Sequence, residues 1–148
     1  MIEYVVGGVE LVEAVGPLWE LLNKHHQAKS IYFKEKFTQF NYDMRKKVFE
    51  KQDKPRLIIL AQNEKKENIG YIVASIGNEK DAEVESLFVA EKYRGQGIAD
   101  TLMKKSLNWF EENQAKKMII GVGFGNEEVF DFYQKYGFYP KVTILERR

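Results

Sequence analysis

The chain has 148 residues, 44% of them hydrophobic and 30% charged, a composition typical of one globular domain with a sizeable core. Its 23 basic and 22 acidic residues give a net charge of +1, so charge predicts neither a nucleic-acid nor a membrane partner. The absence of cysteine excludes disulfides, thiolate catalysis and zinc–thiolate sites. There is no signal-peptide pattern and no run of about 20 apolar residues, so we expect a soluble, cytoplasmic, single-domain protein.

The first third of the chain predicts one strand and two helices. The strand covers Ile2 to Val6 and stops at a glycine pair. Apolar residues then recur at helical spacing from Leu11 to Leu22. Gly16-Pro17 predicts a kink or a restart within this helix, which should fade near His25-His26. A second helix is expected at about Phe37 to Lys51.

The segment from Lys24 to Arg56 combines ten basic and four acidic residues with several aromatic rings. Those rings are Tyr32, Phe33, Phe37, Phe40 and Tyr42. The simpler interpretation is a helix packed by these rings with a solvated basic face. Two alternatives stay open: a wall for an acceptor substrate, and a surface for an acidic protein partner, whose binding would weaken steeply with salt.

Three strands are predicted next. Arg56 to Gln62 and Ile69 to Ile76 are apolar runs separated by a charged turn, and we expect them to pair as a hairpin. The third strand, Ala82 to Val89, alternates in polarity. The alternation predicts one face with Glu83, Glu85, Leu87 and Val89, and another with Val84, Ser86 and Phe88.

The remaining elements complete a mixed sheet. Gly97 to Asn113 has the clearest amphipathic helix pattern, and a strand is expected from Lys116 to Phe124. A helix between Asn126 and Gly137 follows, and a last strand is expected at about Phe138 to Leu145. The order β-α-α-β-β-β-α-β-α-β indicates an α/β fold, a mixed sheet with helices on both faces, forming one domain over residues 1–148.

A glycine-rich turn lies between the third of these middle strands and the amphipathic helix. The sequence RGQGIA, residues 94–99, places two glycines where the helix begins. The backbone can therefore approach a ligand closely, and the free N–H groups of the first helical turn can bind an anion. The turn lacks the Gly-Lys-Ser/Thr ending of a nucleoside-triphosphate loop. It also follows a late strand rather than the first one, unlike a dinucleotide-binding fold.

Two blocks of sequence carry a resemblance to the GNAT superfamily of acyl-CoA-dependent N-acyltransferases. They are SLFVAEKYRGQGIADTLM, residues 86–103, and GNEEVFDFYQKYGFYP, residues 125–140. The family's acyl-CoA motif is Gln or Arg, two residues, Gly, one residue, then Gly or Ala, and Arg94, Gly97 and Ala99 fill it. Its second motif is an Asn…Tyr helix with a Gly-Phe turn, filled by Asn126, Tyr133, Gly137 and Phe138. The resemblance implies an acetyl-CoA-dependent N-acetyltransferase whose sheet is splayed between its fourth and fifth strands.

The same resemblance implies where CoA binds. The pyrophosphate would lie on backbone N–H groups of the glycine-rich turn, formed by Arg94, Gly95, Gln96, Gly97, Ile98 and Ala99. The pantetheine arm would pair with the open strand edge at Leu87, Phe88 and Val89, and Asn126 would hydrogen-bond the arm. Asp100 departs from the small, hydroxylated or basic residues that suit a phosphate neighbour.

The resemblance also implies a direct transfer in a ternary complex, without a metal. Tyr133 would serve the leaving thiolate, although core packing is its alternative role. Glu85 and Glu83 are candidates for a base acting through water, and each could equally be an exposed strand residue. The acceptor would be a primary amine of a small molecule, a peptide N-terminus or a lysine side chain.

Several alternatives remain at this point. The protein could be a non-catalytic acyl-CoA-binding module, and Asn126 could be a plain helix cap. His25-His26 has no companion ligands at metal spacing and is interpreted as a polar helix end. Pairing of the last strand with a second copy, giving a homodimer, also stays open.

Overall fold

The computed structural model describes all of residues 1–148, and a five-stranded sheet forms its centre. The strands follow one another across the sheet in chain order. They are β1 Glu3–Gly7, β2 Arg56–Gln62, β3 Asn68–Ile76, β4 Asp81–Val89 and β5 Lys117–Ile120. The pairs β1–β2, β2–β3 and β3–β4 are antiparallel, and β5 runs parallel to β4. The predicted mixed sheet is therefore confirmed.

Helices cover both faces of this sheet. They are α1 Val12–Lys29, α2 Lys34–Gln39, α3 Tyr42–Phe49, α4 Ile98–Glu112 and α5 Phe130–Gln134. One buried cluster lies between the sheet and α4, and a second lies between the opposite face and the helices α1 and α3. None of the helices is long and apolar enough to span a membrane.

The predicted restart at Gly16-Pro17 does not occur, because tertiary packing stabilises one continuous helix. α1 passes through Pro17 and ends at Lys29, beyond the predicted end near His25-His26. A Cβ on Gly16 would come within 2.9 Å of the Tyr42 ring, so α1 and α3 pack closely at this glycine. The Tyr42 hydroxyl also donates a 2.6 Å hydrogen bond to a carbonyl in the first turn of α1.

The second predicted helix, Phe37 to Lys51, is divided into α2 and α3. The break falls at Phe40-Asn41, where both residues adopt extended backbone. The Asn41 side chain accepts a 3.0 Å hydrogen bond from the Met44 N–H and so caps α3. A local cap thus starts a new helix where the sequence pattern predicted a continuous one.

The predicted last strand, Phe138 to Leu145, is wrong. This segment has no strand structure, and Tyr139 and Leu145 are 70% and 91% exposed. A strand needs a hydrogen-bonded neighbour, and β5 offers a short one, since it ends at Ile120 rather than at the predicted Phe124. Pro140 also removes a backbone donor from the segment.

A β-bulge at Glu85 reverses the side chains along β4. Val73 pairs with Ser86 whereas Ala74 pairs with Val84, so Glu85 is an extra residue in this strand. Val84 consequently lies in the cluster under α4 together with Leu87 and Val89, while Phe88 lies in the opposite cluster. The predicted faces are wrong across this point, because one inserted residue exchanges the two faces of a strand.

Candidate active site

A cavity of about 660 Å³ opens where β4 and β5 separate. The pairing of these strands ends at Val84 opposite Ile120. Beyond that pair, residues 84–89 and 120–123 form two walls of the cavity. One edge of β4 therefore has no strand partner along this stretch, and the cavity has the volume of a small-molecule site.

The glycine-rich turn stands at the start of α4, next to this opening. Gly95 and Gly97 both have φ of +80°, a conformation that favours glycine, and Gly97 precedes the first residue of the helix. No heavy atom lies within 4 Å of a Cβ built on either residue. The glycines are therefore required by backbone conformation, and the space in front of the helix is open.

Arg94 connects this turn to the cavity. Its Nε donates a 2.9 Å hydrogen bond to the Val89 carbonyl, and its guanidinium lies 5.4 Å from the centre of the Phe88 ring. The arginine also lines the cavity, so it adds a permanent positive charge to the free N–H groups of the helix start. This donor set fits a phosphate group.

Six of the residues predicted to bind the cofactor line the cavity. They are Leu87, Phe88, Val89, Arg94, Ala99 and Asn126. Gly95, Gln96 and Gly97 are exposed at the surface, where they offer backbone groups. The Ile98 side chain is buried in the core under α4, so Ile98 can contribute only its N–H.

Asp100, which departs from the family pattern, has two partners of its own. It accepts hydrogen bonds from the Tyr136 hydroxyl and from Lys104 Nζ, the latter at 3.0 Å. Hydrogen bonds from Tyr136 and Lys104 lower the pKa of this carboxyl. The carboxylate charge is thus partly compensated by these two partners.

Tyr133 lies in the cavity wall on α5. Its ring packs edge-on against Phe132 with 5.3 Å between centroids. Burial raises the pKa of Tyr133 to about 12, because a phenolate would be poorly solvated there. The hydroxyl is therefore protonated over the whole physiological range and can act as a hydrogen-bond or proton donor.

The two candidate glutamates differ in position. Glu85 lines the cavity, but its carboxylate accepts a 2.8 Å hydrogen bond from Arg56 Nε. These two side chains are 5% and 4% exposed. Glu83 lies in β4 beside Ile119 of β5 and does not line the cavity.

Asn126 and His25 meet across the cavity, a contact that sequence reasoning missed. The Asn126 side chain makes no capping bond; its Oδ1 lies 3.3 Å from His25 Nε2. The same imidazole nitrogen is 3.8 Å from the Glu128 carboxylate. No local pattern marks His25 as part of a site, because 101 residues separate it from its partner.

Gly125 sets the distance between these two parts of the chain. Its φ is +104°, and a Cβ at this position would lie 2.1 Å from the Lys29 carbonyl oxygen. The loop after β5 therefore touches the end of α1 backbone to backbone, which no other residue would allow. This contact brings Asn126 close to His25.

The opposite part of the cavity is built by α1, α2 and α3 and is mainly apolar. Its lining includes Trp19, Leu22, Phe37, Phe40, Met44 and Val48. Four of the ten basic residues in the segment from Lys24 to Arg56 form ion pairs: Lys29 with Glu128, Lys36 with Glu146, Lys46 with Glu13, and Arg56 with Asp53 and Glu85.

A second cavity of about 410 Å³ adjoins the first. The two share His26, Phe37, Gly123 and Asn126 in their walls. The C-terminal segment 143–146, most of which was predicted to belong to the last strand, forms part of its wall. No group of three or more His, Asp or Glu side chains is arranged to hold a metal ion.

The sequence profile of the acetyltransferase (GNAT) family matches residues 18–138. The chain belongs to this family. An uncharacterized N-acetyltransferase of Mycobacterium tuberculosis is 32% identical over 84 residues, which are 57% of this chain and 54% of that protein. A putative ribosomal protein bS18-alanine N-acetyltransferase of Bacillus subtilis is 27% identical over 60 residues, 40% of each chain. The chain thus matches at most about half the length of these relatives.

The fold of this GNAT-family protein is also that of solved acetyltransferase structures. The PaiA N-acetyltransferase of Thermoplasma acidophilum, solved in complex with coenzyme A, superposes with a TM-score of 0.77 at 22% identity. The superposition covers 97% of this chain and 93% of the other. The likeness confirms the GNAT fold.

Proposed function

We propose that this GNAT-family protein transfers the acetyl group of acetyl-CoA to a primary amine by direct attack in a ternary complex, with residues 1–148 acting as one domain. The observation that carries the proposal is the cavity at the separation of β4 and β5. At one end a helix start fits a phosphate group, and at the other end the wall is mainly apolar.

Acetyl-CoA would bind along the open edge of β4. The free N–H groups before Asp100 and the guanidinium of Arg94 would hold the pyrophosphate. The backbone groups of Leu87 to Val89 that face away from β3 would pair with the amides of the pantetheine arm in the manner of an added strand. The Val89 carbonyl is excepted, because it already accepts from Arg94 Nε. Asn126, on the opposite wall, would hydrogen-bond the same arm. The fit is supported by the two glycines at φ of +80° and by the splay after Val84.

The chemistry needs two proton movements. The amine nitrogen forms a bond to the acetyl carbon, and the carbon–sulfur bond then breaks to release a thiolate. Tyr133 is the proposed donor to that sulfur, because it lies in the cavity wall and its hydroxyl carries a proton at neutral pH. Once bonded to the acetyl carbon, the nitrogen releases a proton that balances the one gained by sulfur. Before it attacks, the ammonium form of the amine must also lose a proton to a base. The Glu85 carboxylate is engaged in a buried ion pair with Arg56, and Glu83 is outside the cavity wall.

The acceptor is proposed to be a primary amine attached to an apolar or small body. The support is the aromatic and aliphatic lining contributed by α1, α2 and α3. The peptide α-amine is the first class to test, because the name of the Bacillus subtilis relative describes transfer to an alanine of a ribosomal protein.

Thiol release tests the proposal directly. The protein is incubated with acetyl-CoA and one of three amines: a tetrapeptide beginning with alanine, an N-blocked peptide containing lysine, or putrescine. Free CoA is then measured with a thiol reagent, and the chain itself gives no background because it has no cysteine. Turnover with any of the three amines supports the proposal. Binding of acetyl-CoA without turnover would favour the non-catalytic module instead.

A further inference from the structure

The cavity has to contain a group that accepts the proton of the attacking amine. Its titratable wall residues are His25, His26, Arg45, Glu85, Arg94, Glu128 and Tyr133. Both arginines stay protonated, and burial keeps Tyr133 protonated. Glu85 is bound to Arg56 in a buried pair. Two histidines and Glu128 remain.

Position separates these three groups. The Glu128 side chain is 56% exposed, and its oxygens face Lys29 at 3.3 Å and His25 at 3.8 Å, so it lies at the mouth of the cavity. The His26 ring packs against Phe37, with 5.6 Å between centroids, and lines both cavities. His25 alone is in contact with Asn126, the residue proposed to orient the acyl-carrying arm.

We propose that His25 accepts the proton of the acceptor amine and passes it to solvent beside Glu128; this rests on the proposed function. An imidazole whose Nε2–H donates to Asn126 Oδ1 leaves Nδ1 as a proton acceptor. When Nδ1 takes the ammonium proton, the ring becomes positive, and the nearby Glu128 carboxylate stabilises that charge. The neutral amine is then free to attack, and the imidazolium returns its proton to water at the cavity mouth.

The charged groups around His25 come from each element that encloses it. Its own helix contributes His26 and Lys29, and the segment after β5 contributes Glu128. Arg45 of α3 and Glu85 of β4 line the same cavity, but each is engaged elsewhere, with Arg45 Nη2 donating to the Glu85 carbonyl at 3.3 Å. Glu128 is therefore the charged group placed to respond to protonation of His25.

The test compares His25→Gln with Lys24→Gln, the same replacement at the adjacent position, which is exposed and does not line either cavity. Glutamine keeps a hydrogen-bond donor near Asn126 but cannot accept a proton at neutral pH. kcat/KM is measured against pH with the alanine-initiated tetrapeptide, or with whichever of the other two amines is turned over fastest. Binding of acetyl-CoA is followed in parallel by thermal shift.

His25→Gln is expected to lower kcat/KM about 100-fold at pH 7. The deficit should shrink as pH rises through the pKa of the amine, about 7.7–8.0 for a peptide α-amine, because the substrate then arrives neutral. In His25→Gln, the acid limb of the plot of kcat/KM against pH should move to the pKa of the amine. Lys24→Gln should keep the wild-type profile, and both variants should bind acetyl-CoA. A lower rate with an unmoved acid limb would show a merely structural role and overturn the proposal, as would the same loss in Lys24→Gln.

A second measurement does not depend on turnover. The imidazole signals of His25, assigned by comparison with His25→Gln, are followed by NMR from pH 5 to 9 in the complex with acetyl-CoA. A signal that changes between two protonation states in this range supports the assignment. A ring that stays in one state throughout cannot accept the proton and contradicts it. Absence of turnover with all three amines would count against the proposed function, whereas the NMR result shows independently whether the ring of His25 can take up a proton in the complex.

Discussion

The carboxylate of Glu85 accepts a 2.8 Å hydrogen bond from Arg56 Nε, and both side chains are almost completely buried. The bulge in β4 places this pair beside the candidate active site. Removing only the arginine leaves a buried charge without a partner. We expect Arg56→Met to lower the free energy of unfolding by about 3–5 kcal/mol, measured by urea denaturation.

A double variant separates the pair from the packing around it. Arg56→Met combined with Glu85→Met should cost less than Arg56→Met alone, because no unpaired charge remains. Lys66→Ala provides the control, since it removes the ion pair between Lys66 and Glu3, whose side chains are 66% and 59% exposed. That change should stay below about 1 kcal/mol. An equal loss in Arg56→Met and Lys66→Ala would contradict the interpretation.

Gly97→Glu is expected to abolish stabilisation by acetyl-CoA. The variant places a side chain and a negative charge at the helix start where the pyrophosphate is proposed to bind. For the unmodified chain, ligand at about a hundred times its dissociation constant adds roughly 2.7 kcal/mol, a shift of a few degrees in Tm for a domain of this size.

Gly137→Glu is the matched control for this experiment. Gly137 also has positive φ, +88°, with no heavy atom within 4 Å of a Cβ built there. The two variants therefore carry a similar backbone penalty, but only Gly97 belongs to the proposed phosphate site. If both retained the ligand-dependent shift, the glycine-rich turn would not be the binding site.

Tyr133→Phe should lower kcat by about two orders of magnitude while leaving the acetyl-CoA thermal shift unchanged. The phenylalanine keeps the packing against Phe132 and removes only the hydroxyl. Tyr139→Phe, at a position that is 70% exposed, should leave kcat unaltered. A Tyr133→Phe variant with an unchanged kcat would show that Tyr133 only packs against its neighbours and donates no proton.

The raised pKa of Tyr133 also makes a prediction about pH. Burial raises the pKa of Tyr133 to about 12, compared with about 10 for an ordinary tyrosine, so the hydroxyl stays protonated up to about that pH. Activity should therefore show no loss from Tyr133 ionisation up to pH 10. Stability should behave differently: above pH 10 the unfolded chain loses this proton and the folded chain keeps it, so the contribution of this group to stability falls as pH rises from 10 to 12. Denaturation of Tyr133→Phe across this range should lack that component.

Hydrogen exchange can test the C-terminal segment. Residues 139–148 make no backbone hydrogen bond to the rest of the chain, so their amides should exchange at the shortest measurable times. Amides of Ile58 to Leu60, in the middle of β2, should be protected. Slow exchange in the segment 139–148 would show that a sixth strand forms after all.

Sequence patterns located β2, β3 and β4 within one residue because each is an apolar or alternating run between polar turns. The glycine-rich turn could also be predicted, because its sequence pattern is local. Sequence patterns could not predict three features that depend on residues distant in the chain: the bulge at Glu85, the partner of Glu85, and the contact of His25 with Asn126. The last strand failed for the same reason, since a strand exists only where a neighbour is available.

The backbone contact at Gly125 has a practical consequence for changing the acceptor. The spacing of Asn126 from α1 is fixed by main-chain atoms, with the Lys29 carbonyl seated where any side chain of residue 125 would be. The side chains of Phe37, Phe40 and Met44 line the cavity and take no part in that backbone contact. A library that varies those three positions and leaves Gly125 untouched would therefore test new amine acceptors for the proposed reaction without disturbing the distance between Asn126 and His25.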